Sequence, residues 1–173
     1  EVFVKERKEA HLLIEDFMLL ANREVATYIS MKGRDEEIPF VYRVHDEPDP
    51  ERVEELARFA REMGFDMNVS SPEEIARSYN RLAEETEQKP DLKLLSPIAI
   101  RTMAKAVYTT DNIGHYGLGF NYYTHFTSPI RRYPDLVVHR RIKDILAGRR
   151  IKEGKKEAFK ANLAEIGEHT STT

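Results

Sequence analysis

The segment Thr127-Ser-Pro-Ile-Arg-Arg-Tyr-Pro-Asp-Leu-Val-Val-His-Arg140 decides how the second half of this chain is organised. The Ser-Pro pair at 128–129 is a helix-start signal, because serine accepts a free backbone N–H and proline suits the first helical position. Pro134 then removes a backbone hydrogen bond. Either the helix kinks there or a single turn at 129–133 leads into a second helix, and both outcomes fix Arg131 at a bend.

Two arginines, Arg131 and Arg132, follow this predicted helix start directly. A helix N-terminus carries partial positive charge, so exposed cations there cost roughly 0.3–1 kcal/mol each. An anion bound at the helix end would reverse the sign of that interaction, and the planar guanidinium group suits a phosphate. The alternative is that both arginines pair with carboxylates elsewhere in the fold. The residues alone leave both interpretations open.

Outward from this segment, most of the chain has helical patterns. Three further cap-plus-proline signals predict helices that end near Met63, near Glu85 and at Val107, and these signals are Asp49-Pro50, Ser71-Pro72 and Ser96-Pro97. A last helix is predicted over 152–167. The helical pattern over 136–146 has one apolar face, with Arg140, Arg141 and Lys143 off that face. Extended structure is expected at 38–44, with Phe40, Tyr42 and Val44 on one face, and at 114–127. The pattern predicts a predominantly helical α+β fold with a few short strands.

The N-terminal pattern, 5–31, predicts one long helix that ends at Gly33 and is largely buried, because apolar residues occupy most of its circumference. His11, Glu15 and Asn22 form a polar stripe on this helix at spacings of four and seven. A buried carboxylate is costly unless it is paired. Glu15 is therefore either a structural partner of an arginine, Arg131 being one candidate, or a carboxylate that points into an active-site cleft.

The formal net charge of −3 averages two unlike regions: residues 46–91 carry a balance of −8, and residues 131–160 carry +7. The bland explanation is two solvated helical faces, but the contrast favours a basic region that meets polyanions. Zero cysteines exclude disulfides, thiolate zinc sites and a cysteine nucleophile, and they are compatible with a reducing cytoplasm. No apolar run reaches the ~18 residues of a membrane span.

Common cofactor motifs do not match. The glycines at 114–119 and 148–154 have the wrong order or spacing for dinucleotide or phosphate loops, and the six histidines lack ligand spacing. His11 and Glu15 could chelate a metal only with a distant third ligand. The acidic cluster 46–49 is interpreted as structural, since Asp49 already serves as a helix cap.

Three segments together closely resemble the ribonuclease R and ribonuclease II family in order and spacing. They are His11-Leu-Leu-Ile-Glu-Asp-Phe-Met-Leu-Leu-Ala-Asn22, His115-Tyr-Gly-Leu-Gly-Phe120 and Tyr123-Thr-His-Phe-Thr-Ser-Pro-Ile-Arg-Arg-Tyr-Pro-Asp-Leu-Val-Val-His-Arg140. The second arginine and the proline of the third segment favour the ribonuclease R branch. The resemblance implies that residues 1–173 are the C-terminal part of an RNB catalytic domain. It also implies a processive 3′→5′ exoribonuclease that uses Mg²⁺ and releases nucleoside 5′-monophosphates.

The resemblance also implies residue roles. Arg131 falls on the family arginine that contacts the phosphate near the scissile bond, where it would stabilise developing charge. Glu15 falls on a family glutamate that contacts RNA near the 3′ end, and its carboxylate would accept hydrogen bonds from ribose hydroxyls. Arg132 and Ser128 are expected to contact the RNA as well.

The family's metal-binding aspartates and flanking RNA-binding domains have no counterpart here, and the chain opens at Glu1 rather than Met. We therefore expect a piece of a longer cytoplasmic protein, with no metal ligand in this segment and no nuclease activity by itself. The alternative is a nonenzymatic RNA-binding or adaptor module on the same fold. An exposed surface that normally packs on missing parts is expected to cause non-native self-association.

Overall fold

The computed structural model describes residues 8–34 and 36–172, and the chain divides into two compact units. The first contains the described residues of Glu1–Val44 and Ala106–Thr173, and the second is His45–Lys105. The second unit is therefore an insertion into the first. The insertion leaves and returns at two antiparallel strands, β1 (Tyr42–Val44) and β2 (Val107–Thr109), whose register pairs Val44 with Val107.

Helix α1 spans Glu9–Lys32 and, as predicted, ends at Gly33, whose N–H donates to the Ile29 carbonyl at 2.9 Å. The prediction that this helix is largely buried is wrong. Its buried residues are Asn22, Ala26 and Ile29, whereas Phe17 is 58% exposed. The physical reason is that only the second half of α1 packs against the strand β1. No helix of the described residues is long and apolar enough to cross a membrane.

The core of the first unit is built around β1. Phe40, Tyr42 and Val44 share one buried face, as the alternation predicts, and they pack with Ala26 and Ile29 of α1 and Val138 of α5 (Tyr133–Leu146). Val41 faces the other way, where it packs with Tyr108 of β2 and Leu163 of α6 (Lys156–Thr172). Alternation along one extended segment therefore fixes helices on both sides of the two-stranded sheet.

Helix α6 approaches β2 very closely. A Cβ atom at Gly167 would lie 2.7 Å from the Tyr108 carbonyl oxygen, so only glycine fits there. The helix was predicted to end at this residue, but it continues to Thr172. The additional residues bring Ser171 to β2, where its hydroxyl accepts a hydrogen bond from the Tyr108 backbone N–H at 2.8 Å. This bond satisfies a donor at the sheet edge.

The second unit is helical, with α2 (Pro50–Glu62), α3 (Pro72–Gln88) and α4 (Leu95–Thr102) around an apolar core. Asp49 and Ser71 cap α2 and α3 as predicted, by accepting the N–H groups two and three residues ahead. The predicted cap at Ser96 is wrong, because a 3₁₀ turn over Pro90–Leu94 leads directly into α4 and leaves Ser96 inside it. The acidic stretch 46–91 lies within this unit.

The glycine-rich segment 114–127 was expected to form a strand or hairpin. Its regular structure is one isolated bridge between His115 and Phe120 around a 3₁₀ turn, Tyr116–Leu118. Gly119 ends that turn in the left-handed region, with φ of 65°. Beyond it, the Tyr123 carbonyl accepts the Arg43 N–H at 3.0 Å, which fastens the segment to β1.

Candidate functional site

The predicted helix start at Ser128 is wrong in position. The Ser128 carbonyl accepts the N–H groups of Arg131 at 3.3 Å and Arg132 at 3.1 Å, which closes a single turn, and α5 begins only at Tyr133. The alternative of a turn followed by a second helix is therefore confirmed. Because Pro134 occupies the first turn of α5, its missing N–H costs nothing. Both arginines precede the helix instead of occupying its first turn.

The acid that the helix dipole favours is Asp135, in the first turn of α5. Its side chain is completely buried, and Oδ1 accepts the Ser128 N–H at 2.7 Å and the Arg132 guanidinium at 2.9 Å. Asp135 thereby fixes both the start of the turn and the residue at its end. Asp135 is not among the site residues predicted from the sequence. An acidic residue in the first turn of a helix is a recognisable signal, because the helix dipole favours it.

The two arginines have different environments. Arg132 is paired with the buried carboxylate, so the structural interpretation holds for it. Arg131 is exposed and makes no ion pair with any of residues 8–34 and 36–172. The turn therefore holds one arginine, with 24% of its side chain exposed, against a buried carboxylate, and it presents the other to solvent, where an anionic ligand can reach it.

Asn22 of α1 joins this turn to the N-terminal helix. The side chain is 3% exposed, and Oδ1 accepts the backbone N–H groups of Phe126 at 2.9 Å and Thr127 at 3.2 Å. Its Nδ2 donates to the Tyr123 hydroxyl at 3.1 Å. The stripe of polar residues on α1 pointed to Asn22, but its role as a clamp on the segment before Ser128 needed the structure.

Glu15 lies on the same face of α1, and it is exposed, so the premise of a buried carboxylate is wrong. It lines a cavity of about 220 Å³ together with Arg132. The other lining residues are Met18, Leu19, Asn22, Tyr123 and Thr127. Among the described residues, Thr127 Oγ1 and Arg132 Nε are buried and have no hydrogen-bond partner. The structure thus brings Glu15 and Arg132 to one cavity and places Ser128 and Arg131 on the adjacent turn.

A buried aromatic cluster lies next to the turn. The His125 Nδ1 is 2.7 Å from the Tyr108 hydroxyl, and the Arg43 guanidinium is 4.4 Å from the centre of the Tyr108 ring. Burial, with a smaller contribution from Arg132, lowers the pKa of His125 to about 4. Burial also lowers the pKa of Arg43 and raises that of Tyr108. His125 is therefore neutral at pH 7. The charged groups around it are Arg43, Arg132 and Asp135, so the local net charge is positive.

The described residues do not fit the Mg²⁺ ion that the family resemblance implies. No group of three or more His, Asp or Glu side chains within the described part of the chain is arranged to hold a metal. Glu15 lines the cavity, whereas Asp135 is buried and paired with Arg132, so the two carboxylates have different surroundings. The groups that these residues offer are hydrogen-bond donors and acceptors and the exposed Arg131 guanidinium, which is suited to an anion.

Comparisons with known proteins agree with the sequence resemblance. The profile of the RNB domain matches residues 1–148. Ribonuclease R of Aquifex aeolicus is 40% identical over 171 residues, which are 98% of this chain and 23% of that protein. The Escherichia coli ribonuclease R is 37% identical over 94% of this chain and 18% of its own length. The chain therefore spans about a fifth of the length of these relatives.

A solved structure, the Mycoplasma genitalium ribonuclease R in complex with ribose-methylated single-stranded RNA, superposes with a TM-score of 0.80 at 28% identity. The match covers 97% of this chain and 26% of that one. Yeast Ssd1, described as a pseudonuclease, has the same fold with a TM-score of 0.76 at 24% identity, over 96% of this chain and 20% of its own. The predicted α+β, mostly helical fold of an RNB domain is confirmed, and the chain belongs to the RNB domain family of ribonuclease R.

Proposed function

We propose that this chain is the C-terminal part of the RNB domain of a 3′→5′ exoribonuclease that hydrolyses RNA to nucleoside 5′-monophosphates. The observation that carries the proposal is the arrangement of the turn 128–132. Asp135 neutralises Arg132 inside the protein, and Arg131 next to it stays exposed without an ion-pair partner among the described residues. An exposed guanidinium held on a fixed turn is suited to a phosphodiester group.

In this proposal each site residue has one task. Arg131 donates hydrogen bonds to the phosphoryl oxygens next to the scissile bond and stabilises charge that develops there. Glu15, which lines the 220 Å³ cavity, accepts hydrogen bonds from ribose hydroxyls and so favours RNA over DNA. Arg132 and the Ser128 hydroxyl contact the RNA at the same turn. The net positive charge around His125 helps to hold a polyanion.

We further propose that the Mg²⁺ ligands come from parts of a longer protein outside these 173 residues, which is supported by the lack of a metal site among the described residues. The 173-residue chain is then inactive by itself. We also propose a cytoplasmic location, with which the absence of cysteines is compatible. A second candidate, a nonenzymatic RNA-binding or adaptor module, is favoured by the same lack of a metal cluster in the described residues, and the fold itself is shared by a pseudonuclease.

One experiment separates the two candidates. The 173-residue chain and the longer protein that contains it are incubated with Mg²⁺ and single-stranded RNA whose phosphates are labelled throughout, and released labelled monophosphates are separated by thin-layer chromatography. We expect release by the longer protein only. In that protein, Arg131→Ala reduces turnover by about 10²–10³-fold, as for the loss of a donor to developing charge. Its RNA affinity changes much less.

The matched control is Arg58→Ala, an exposed arginine of the second unit, which leaves turnover unchanged. Release of monophosphates by the short chain would overturn the proposed inactivity. A longer protein that binds RNA without releasing monophosphates would establish the adaptor alternative. Equal losses of turnover and RNA affinity in Arg131→Ala would show that this residue only binds the RNA backbone and does not stabilise the developing charge.

We also propose that the short chain self-associates in a non-native manner through α1. Leu13, Ile14 and Phe17 are 55%, 59% and 58% exposed on one stretch of this helix, and contiguous exposed apolar surface promotes association. Sedimentation velocity at increasing protein concentration tests this. A Phe17→Glu variant is expected to remain monomeric at concentrations where the unmodified chain associates, and an unmodified chain that stays monomeric would contradict the proposal.

A further inference from the structure

A second cavity of the first unit lies at the opposite end of α5 from the turn 128–132. Its volume is about 480 Å³, which is within the range of small-molecule sites. Because α5 has 14 residues, the two ends of the helix are about 20 Å apart. This cavity, the α5 C-terminal cleft, has among its lining residues Tyr28, Lys32, Ile38, Arg141, Ile145 and Ile151.

The cleft is positively charged. Its lining has five cationic and two acidic side chains, which leaves a net of three positive charges. Glu36 is shared by Arg150 at 3.7 Å and Lys156 at 3.9 Å, and Glu37 is paired with Lys160 at 2.7 Å. Helices α1 and α5 end beside the cleft and α6 begins there, which changes the balance by only about half a charge. Arg149 is paired in turn with Asp144 at 2.6 Å. Lys32 and Arg141 are therefore the lining cations that make no ion pair within residues 8–34 and 36–172, and the positive potential of the cleft comes mainly from them.

Arg141 is the most informative residue of the cleft. The sequence pattern places it off the apolar face of this helix, but it is 7% exposed. Its Nε donates to the Pro39 carbonyl at 3.2 Å, and the guanidinium lies 5.5 Å from the centre of the Phe159 ring. A carbonyl and a ring do not neutralise a buried guanidinium. Asp144, the carboxylate that acts on it electrostatically, is already paired with Arg149, so an anion in the cleft would add counter-charge.

The remaining walls are apolar. Tyr28 is 40% exposed, and Lys32 Nζ lies 5.7 Å from the centre of its ring. Ile38, Ile145 and Ile151 complete the apolar part of the lining. An aromatic ring beside guanidinium and ammonium groups is the combination that holds a base by stacking and a phosphate by charge.

We propose that the α5 C-terminal cleft binds a 5′-phosphorylated nucleotide, with its phosphate on Arg141 and Lys32 and its base against Tyr28. The nucleotide is either free or part of an RNA strand, because both present the same phosphate and base. The cleft contains neither Arg131 nor Glu15, so the proposal does not rest on the proposed hydrolytic function.

The test is binding of adenosine 5′-monophosphate to the ¹⁵N-labelled 173-residue chain, followed through the amide resonances of Gly148 and Ile151. Adenosine and inorganic phosphate are titrated separately. We expect saturable shifts with the monophosphate, and binding at least about tenfold weaker for each half alone. No saturable shift at these amides up to about 10 mM monophosphate would overturn the proposal. Phosphate alone binding as tightly as the monophosphate would overturn the assignment to a nucleotide.

Two variants and one control locate the site. Lys32→Glu reverses an exposed charge of the cleft and is expected to weaken binding about tenfold or more. Tyr28→Ala removes the ring and is expected to weaken binding of the monophosphate but not of phosphate. Lys93→Glu makes the same charge change at an exposed residue of the second unit, and we expect less than about a twofold effect. Equal weakening by the two charge reversals would show non-specific attraction and refute the site.

A single-stranded RNA hexanucleotide with a 5′-phosphate identifies the source of the ligand. If it shifts the same two amides and binds at least about tenfold more tightly than the monophosphate, the cleft holds an RNA strand. Equal or weaker binding of the hexanucleotide at these amides means that the cleft takes the free nucleotide. Both outcomes support a nucleotide site, whereas hexanucleotide shifts confined to residues outside the cleft contradict it.

Discussion

Replacing Asn22 by alanine is expected to loosen the segment that leads into the candidate site while leaving α1 intact. The change removes one acceptor from two backbone donors, the N–H groups of Phe126 and Thr127, and one donor from the Tyr123 hydroxyl. A buried donor left without a partner costs about 1–3 kcal/mol. Since both donors belong to half-buried residues, water can partly replace Asn22, and we expect a total loss of about 2–4 kcal/mol.

Native-state hydrogen exchange resolves this loss residue by residue. Every 1.4 kcal/mol changes an opening equilibrium by about tenfold, so the amides of Phe126 and Thr127 should exchange about 10–100-fold faster in Asn22→Ala. Asn22→Asp keeps the accepting oxygen, and its second carboxylate oxygen can accept from the Tyr123 hydroxyl. This variant should therefore accelerate the two amides less than the alanine variant does.

The matched control is Asn162→Ala, an exposed asparagine on α6 of the same unit, which should leave both amides unchanged. If Asn22→Ala accelerated all amides of the first unit by one common factor, the residue would contribute only to global stability. If Phe126 and Thr127 kept their protection in Asn22→Ala, the clamp described above would be refuted.

Three further changes test other parts of the fold. Asp135→Ala leaves the half-buried Arg132 guanidinium without its counter-charge and the Ser128 N–H without its acceptor, and we expect a loss of about 2–4 kcal/mol in urea unfolding, much more than an exposed Asp→Ala change gives. Gly167→Ala places a methyl group 2.7 Å from the Tyr108 oxygen, so thermal unfolding should show about 1–3 kcal/mol of destabilisation. Because the pKa of His125 falls from 6.5 to about 4 on folding, the unfolded chain binds the extra proton between these values. Stability should therefore decrease by up to about 3 kcal/mol as the pH falls from 6.5 to 4, and His125→Gln, compared by urea unfolding at both pH values, should remove that part of the slope.

Local signals predicted the fold where local chemistry decided the structure. Asp49 and Ser71 cap their helices because a side-chain oxygen followed by proline has few alternatives. The same signal failed at Ser96 and Ser128. At Ser96 the preceding 3₁₀ turn already provides helical geometry, and at Ser128 a buried aspartate seven residues later accepts the N–H that a helix start would leave free. Both failures come from contacts that the capping pattern does not contain.

The candidate site was predictable in composition but not in arrangement. The sequence singled out Glu15, Arg131 and Arg132, and the structure places Glu15 and Arg132 on one cavity. It could not separate the two arginines, because the difference depends on which one reaches Asp135. Likewise, an amphipathic pattern cannot reveal that Arg141 points inward, since its partner, the Pro39 carbonyl, comes from a segment 102 residues away in the chain.

The insertion of the second unit between β1 and β2 has a consequence for how the chain folds. Pairing Val44 with Val107 closes a loop of the 61 residues His45–Lys105 and the residue after it, which by polymer theory costs about 3.6 kcal/mol in chain entropy beyond the constant term. Pairing two three-residue strands contributes little stabilisation to offset that entropy cost. If the helices of the insertion form first, their local contacts shorten the effective loop before the strands meet. The order of folding would then run from the inserted unit to the one that carries the candidate site, and mutations that slow the insertion would delay assembly of residues far from it in sequence.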